Sequence, residues 1–169
     1  MATSINLMLP GETDLADMLR GGATLSELLD EITSAGEAAI PGVICSILLL
    51  DSEGRHLLHG SAPSLPTIYN DSVNGLQIGP GIGCCGQAAA TRKRVVVENL
   101  YTHPNWAPFI ELARVAGIAS SASEPILSSD QSRVLGTFAI YHRTTGAPTE
   151  AEYALMERGA ALARFAIES

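Results

Sequence analysis

Basic residues are scarce in this chain. Ten lysines and arginines stand against eighteen acids, giving a formal net charge of −8, and the only basic cluster is Arg92-Lys93-Arg94. Nucleic-acid binding depends on clustered Lys and Arg displacing counterions, so DNA and RNA are excluded as expected partners. Cysteine is scarce too. The three residues Cys45, Cys84 and Cys85 are odd in number and two are adjacent, a poor disulfide framework. Free thiols in a reducing compartment fit better, and the cytosol is the expected location. No apolar run approaches the roughly 20 residues that cross a bilayer, and the opening residues Met1–Asn6 carry no secretory pattern. Neither a membrane span nor a leader for export is expected. Aromatic residues make up only 5% of the chain, so the position of each one is informative.

What is present points to one folded unit. The chain has 169 residues with 46% apolar and 17% charged side chains, enough to bury a core and unlike a disordered tail. Residues 1–23 read as a leader helix and linker, with Leu15, Met18 and Leu19 at helical spacing inside Thr13–Arg20. From Thr24 the positions Leu25, Leu28, Leu29, Ile32, Ala35 and Ala39 follow the 3.6-residue period until Pro41-Gly42 stops the helix. Val43–Leu50 and Arg55–Ser61 flank the turn Asp51-Ser52-Glu53-Gly54 as two antiparallel strands. A long connection over 62–92, rich in Gly and Pro, holds two short helices, Leu65–Val73 and Cys85–Thr91. The spacing then predicts a strand at Arg94–Val97, a helix at Asn105–Ala116, strands at Ile118–Leu127 and Arg133–His142, and a helix capped by Thr149 that runs to about Glu168. The fold class is α+β: a mainly antiparallel sheet of five to six strands, terminal helices on one face, and helices and loops over a cavity on the other.

The last helix has more apolar surface than one sheet can bury. Tyr153, Met156, Ala160, Ala163 and Ile167 form one stripe, while Leu155, Leu162, Phe165 and Ala166 lie off it. A homodimer through the terminal helices is the expected use of that surplus; the alternative is that helices from the two ends of the chain cover each other.

Motifs for catalysis are nearly absent. Gly81-Ile82-Gly83-Cys84-Cys85-Gly86 spells G-x-G-x-x-G, but Gly79-Pro80 precede it and no acid lies about twenty residues onward, so a dinucleotide fingerprint is rejected. Cys85 falls at a helix start, where peptide dipoles favour thiolate, but no positioned base or resolving partner is at hand, so Cys84 and Cys85 are read as small buried packing residues. His56, His59, His103 and His142 have no metal-ligand spacing. There is no G-x-S-x-G elbow, paired carboxylate or phosphate loop, so no catalytic residue and no metal ligand is assigned. Tyr69, Trp106 and Phe109 fall in connecting helices that lie over one sheet face and are expected to line one small-molecule cavity.

Five motifs occur in an order that resembles a GAF domain: Gly81-Ile82-Gly83-Cys84-Cys85-Gly86-Gln87-Ala88-Ala89, Val95–Leu100, His103-Pro104-Asn105-Trp106, Ser123-Glu124-Pro125-Ile126 and Val134–Ala139. The resemblance covers about residues 24–168, and 24–169 is taken as the sensor domain. It is nearest to GAF modules of bacterial sensor histidine kinases and cyclic-di-GMP enzymes. It implies a sensory module that binds an unidentified small molecule and signals through terminal helices, commonly as a dimer, to an output domain such as a kinase or a diguanylate cyclase or phosphodiesterase. Tyr69, Cys85, Trp106, Phe109, Ser121 and Ser123 are the expected ligand-binding residues.

Several family signatures are missing. Ser121-Ala122 stand where related members often carry Cys-Trp, no histidine occurs in 112–117 where haem-binding relatives place one, and neither a Cys-His pigment site nor the cyclic-nucleotide signature occurs. The cofactor, if any, is left unnamed. The alternative is a thiol enzyme on the same fold, similar to free methionine-(R)-sulfoxide reductase. Cys85 would match one of its cysteines, but its reacting cysteine would fall at Ala119-Ser120-Ser121.

Overall fold

The computed structural model describes residues 9–169. Two helices open the described residues, α1 (Glu12–Arg20) and α2 (Leu25–Ala39), followed by the hairpin β1 (Ile44–Leu50) and β2 (His56–Ser61). The connection contains α3 (Thr67–Val73), a short strand β3 (Leu76–Gln77) and α4 (Cys85–Thr91). Then come β4 (Val95–Val97), a 3-10 helix (Pro104–Phe109), α5 (Ile110–Ala116), β5 (Ser120–Leu127), β6 (Val134–His142) and α6 (Glu150–Glu168). The expected architecture holds: six strands form one sheet in the order β3-β2-β1-β6-β5-β4, every neighbouring pair antiparallel. None of the described helices is long and apolar enough to cross a membrane.

Local chemistry explains the boundaries. Thr24 accepts the Glu27 amide while the Glu27 carboxylate takes the Thr24 amide, and Thr149 and Glu152 repeat this capping box at α6. The helix expected at Asn105–Ala116 is two pieces. Pro104 starts a 3-10 turn and Pro108 cannot donate a helical hydrogen bond, so the α-helix begins only at Ile110. The helix expected from Leu65 begins at Thr67, behind Pro66. The edge strand β3, just two residues long, lies within the connection read from sequence as loop.

Alternation along the central strands sends side chains to two cores. Cys45 and Ile47 of β1 and Phe138 and Ile140 of β6 join Leu28, Leu29 and Ile32 of α2 and Leu155, Met156 and Leu162 of α6. Ile44, Leu48, Ala139 and Tyr141 face the other way, toward α3, α4 and the segment after β4. Helix α6 packs on β5 and β6 and also on α2, and α1 closes against it with Leu15 fully buried. Of the positions off the main stripe of α6, Leu155, Leu162 and Ala166 are buried by the same chain and Phe165 is partly exposed. The alternative cover, helices from the two ends of the chain packing on each other, is present: α1 and α2 meet most of the surplus apolar surface, and no large apolar side chain of the described terminal helices is more than partly exposed. Arg94 ties the far edge of the sheet to α6, with Nε 2.7 Å from Glu124, a contact to Glu157, and its guanidinium 4.6 Å from the centre of the Tyr153 ring.

Candidate functional site

On the face opposite α2 and α6, a small cavity lies between the sheet and its covering segments. Leu48 of β1 and Tyr141 of β6 form its floor; Tyr69 and Val73 of α3 and Leu76 of β3 form one wall. Gly83, Cys84 and Cys85 form a second wall, and Trp106, Phe109 and Leu112 close the third. Its free volume is about 30 Å³, room for roughly two water molecules. Tyr69, Cys85 and Trp106 are buried, whereas Leu76, Phe109 and Leu112 are partly exposed and make the outer lip.

The glycine-rich loop is held in place by its own hydrogen bonds. Gly81 and Gly83 have φ of 82° and 56°, left-handed values that a side chain would strain. The Gly81 amide donates to Gln87 Oε1 and the Gly83 amide to the Asn105 carbonyl. Asn105 Nδ2 donates to the Gly83 carbonyl at 3.0 Å and to Gln87 Oε1 at 2.6 Å, so one buried amide fastens the loop to the 3-10 helix. Those loop amides are already paired within the protein, which agrees with rejecting a phosphate-binding reading of G-x-G-x-x-G.

The aromatic residues are arranged edge to face. Tyr69 and Tyr141 have ring centres 6.0 Å apart, and Trp106 and Phe109 are 5.9 Å apart. The Trp106 indole N–H donates to Cys84 Sγ at 3.4 Å, and Cys84 Sγ donates to the Ser121 carbonyl at 3.7 Å. Ser123 Oγ donates to Cys85 Sγ at 3.4 Å. The Tyr69 and Tyr141 hydroxyls lie 3.5 Å apart, and Ser46 Oγ is 3.3 Å from the latter.

Burial sets the charge state of these groups. It pushes the Cys84 thiol up to about 12, against the pull of the Trp106 N–H. It also raises the Cys85 thiol, with the Ser123 hydrogen bond opposing, and raises the Tyr69 and Tyr141 phenols well above the ordinary phenolic value. Of the two readings of Cys85, the structure shows the buried packing residue: α4 has just seven residues, its start is buried, and desolvation outweighs the helix dipole.

Of the six expected ligand-binding residues, Tyr69, Cys85, Trp106 and Phe109 meet at the cavity. Ser121 and Ser123 do not line it; they lie behind Cys84 and Cys85 on β5. Sequence reasoning omits Tyr141, Leu48, Cys84 and Leu112. Strand parity could have found the first two, since Ile44, Ser46 and Leu48 alternate away from the helix-packed Cys45 and Ile47. None of the four histidines converges with another ligand: among the described residues no group of three or more His, Cys, Asp or Glu is placed to hold a metal. His142 instead pairs with Glu152 at 3.0 Å.

Comparison with known proteins adds four findings. A sensor associated with methyl sulfide methyltransferase in Methanosarcina acetivorans is 38% identical over 152 residues, which are 90% of this chain and 15% of that protein. The GAF domain of a phosphoenolpyruvate-protein phosphotransferase from Coxiella burnetii superposes with a TM-score of 0.72 at 17% identity, over 96% of this chain and 92% of that one. Free methionine-R-sulfoxide reductase from Neisseria meningitidis, solved with its substrate, gives 0.70 at 18% identity, over 99% and 90%. At such identities these two likenesses concern the fold. The GAF domain family model matches residues 22–168, nearly the whole chain, and the chain belongs to the GAF domain family.

Proposed function

We propose that this chain is a small-molecule-sensing regulatory domain without catalysis of its own. The carrying observation is that β1 and β6 have one face on the cavity and the other on the terminal helices. Leu48 and Tyr141 touch the cavity, while Ile47, Phe138 and Ile140 pack against α2 and α6. A molecule that moves the floor displaces the helices, provided it has unequal affinity for the two arrangements. The cavity is small as it stands, so occupancy requires the partly exposed lip of Leu76, Phe109 and Leu112 to yield, and that movement supplies the second state. The relative from Methanosarcina acetivorans is called a sensor and is several times longer than the matched segment, which supports an output domain joined to or working with this one. A kinase or an enzyme of cyclic-di-GMP metabolism is the class of output we propose, in the cytosol.

Native mass spectrometry of the protein purified from its own host tests the reading. A retained small molecule whose removal changes Trp106 emission is expected; an empty protein whose emission no small molecule alters would sink it. The reductase reading has the fold likeness in its favour, but Cys84 and Cys85 are buried and kept protonated, and Ala119-Ser120-Ser121 stand where the resemblance places that enzyme's reacting cysteine. Turnover of free methionine sulfoxide with a thiol reductant, abolished by Cys85→Ser, would reverse the ranking.

A further inference from the structure

No residue that lines the cavity is Asp, Glu, Lys, Arg or His. The lining groups that can ionise are the Tyr69 and Tyr141 phenols and the Cys84 and Cys85 thiols, and burial holds all four neutral. An ion placed there would shed its water and meet no countercharge, a cost that a neutral molecule of the same shape avoids. Hydrogen-bonding capacity is concentrated at the floor. The Tyr141 hydroxyl lies 3.3 Å from Ser46 Oγ and 3.5 Å from the Tyr69 hydroxyl, both well beyond the ~2.7–2.8 Å of a good O–H···O bond. These hydroxyls are under-committed, whereas Leu76, Phe109 and Leu112 at the lip offer only apolar surface.

We infer that the cavity selects an uncharged, mainly apolar molecule carrying a single hydrogen-bonding group, which seats on the Tyr141 and Tyr69 hydroxyls while Trp106 and Phe109 cover its apolar body. The inference rests on the sensing reading of this cavity and narrows it. Amino acids, carboxylates and phosphorylated nucleotides are excluded on charge, and zwitterionic methionine sulfoxide is among them.

Four probes of similar size separate the contributions: phenol, toluene, benzoate and benzylammonium, titrated at pH 7 into the whole chain. Binding is read from the emission of Trp106, the single tryptophan, and from the thermal midpoint. Phenol is expected to bind at least about tenfold more tightly than either ion. Tyr141→Phe is expected to weaken phenol about three- to tenfold, the worth of one hydrogen bond, and to leave toluene unchanged. Tyr69→Phe gives the same comparison should Tyr141→Phe fold poorly. Benzoate or benzylammonium binding within threefold of phenol overturns the inference. So does phenol binding no better than toluene and indifferent to both substitutions. A charged molecule retained by the native protein overturns it while leaving the sensing role intact; four inert probes and an empty native protein remove both.

Discussion

The Phe138 ring lies so close to Gly159 of α6 that a β-carbon on the glycine would sit 2.5 Å from the ring edge. Phe138 is fully buried on β6, the strand that presents Tyr141 to the cavity, so this contact joins that strand closely to the terminal helix. Backbone and ring cannot both hold their places if either shifts. A glycine in a helix interior costs about 1 kcal/mol relative to alanine, a cost that the close approach explains.

Gly159→Ala sets two effects against each other. Helix propensity gains about 1 kcal/mol, while forcing a methyl group into a packed interior costs about 1–3 kcal/mol or more. The ring is backed by the sheet and has nowhere to go, so the clash wins. Net destabilisation of about 1–2 kcal/mol is expected, lowering the thermal midpoint by about 2–8 °C for a chain of this size. Urea unfolding monitored by circular dichroism checks it; an unchanged or raised midpoint shows that the contact is slack.

Asn105 fastens the glycine-rich loop through Gly83 and Gln87. Asn105→Ala leaves the Gly83 carbonyl and the Gln87 amide oxygen without that donor and frees the segment 79–87. Faster amide hydrogen exchange confined to this loop and the 3-10 helix is the expected outcome, with exchange in β1 and β6 unchanged. A loop as protected as in the parent protein would mean that Gly81, Gly83 and their backbone bonds suffice.

Much of this arrangement was readable beforehand, for reasons that are local. The capping boxes at Thr24 and Thr149, the hairpin turn after Leu50 and the alternation of β6 are each encoded within a few residues, and each element appears where it was expected. The two-residue strand β3 was not legible, because its existence depends on pairing with His56 and Leu57, twenty residues away. Nor was the split at Phe109, where Pro108 overrides a helical pattern on either side. At the site, Tyr69, Trp106 and Phe109 could be grouped because aromatic residues are few. The placement of Ser121 and Ser123 behind the thiols is set by how α4 lies across β5, which no short-range pattern contains.

Among the described residues, Cys84 Sγ is the acceptor for the Trp106 indole N–H, at 3.4 Å. Cys84→Ala strands a buried donor, at about 1–3 kcal/mol, and removes a sulfur that quenches indole emission. A lower thermal midpoint with brighter Trp106 fluorescence is expected. Cys84→Ser returns an acceptor and should recover most of the stability. Dimmer emission in the alanine variant would show that the sulfur does not touch the indole in solution.

All three thiols are buried, and desolvation raises each one: Cys45 and Cys85 in the same direction as Cys84, which is pushed up to about 12. In the unfolded chain a thiol ionises near about 8.5. Below that value both states hold the proton and stability does not depend on these groups. Above it the unfolded chain releases protons that the folded chain keeps, so stability falls as pH rises, by up to about 1.4 kcal/mol per pH unit for each thiol ionised only when unfolded. The urea midpoint is therefore expected to be flat between pH 7 and 8 and to drop between pH 9 and 10.5. The buried Tyr69 and Tyr141 phenols add to the drop above about pH 10, so replacing Cys45 by alanine should flatten it by about a quarter, whatever it does to stability at neutral pH. A disulfide reagent at pH 7.5 should find no thiol in the folded protein within minutes and three in guanidinium. Rapid labelling of Cys85 in the folded state would instead mean that the cavity lip opens far more often than its packing allows, and that the thiol is available for chemistry.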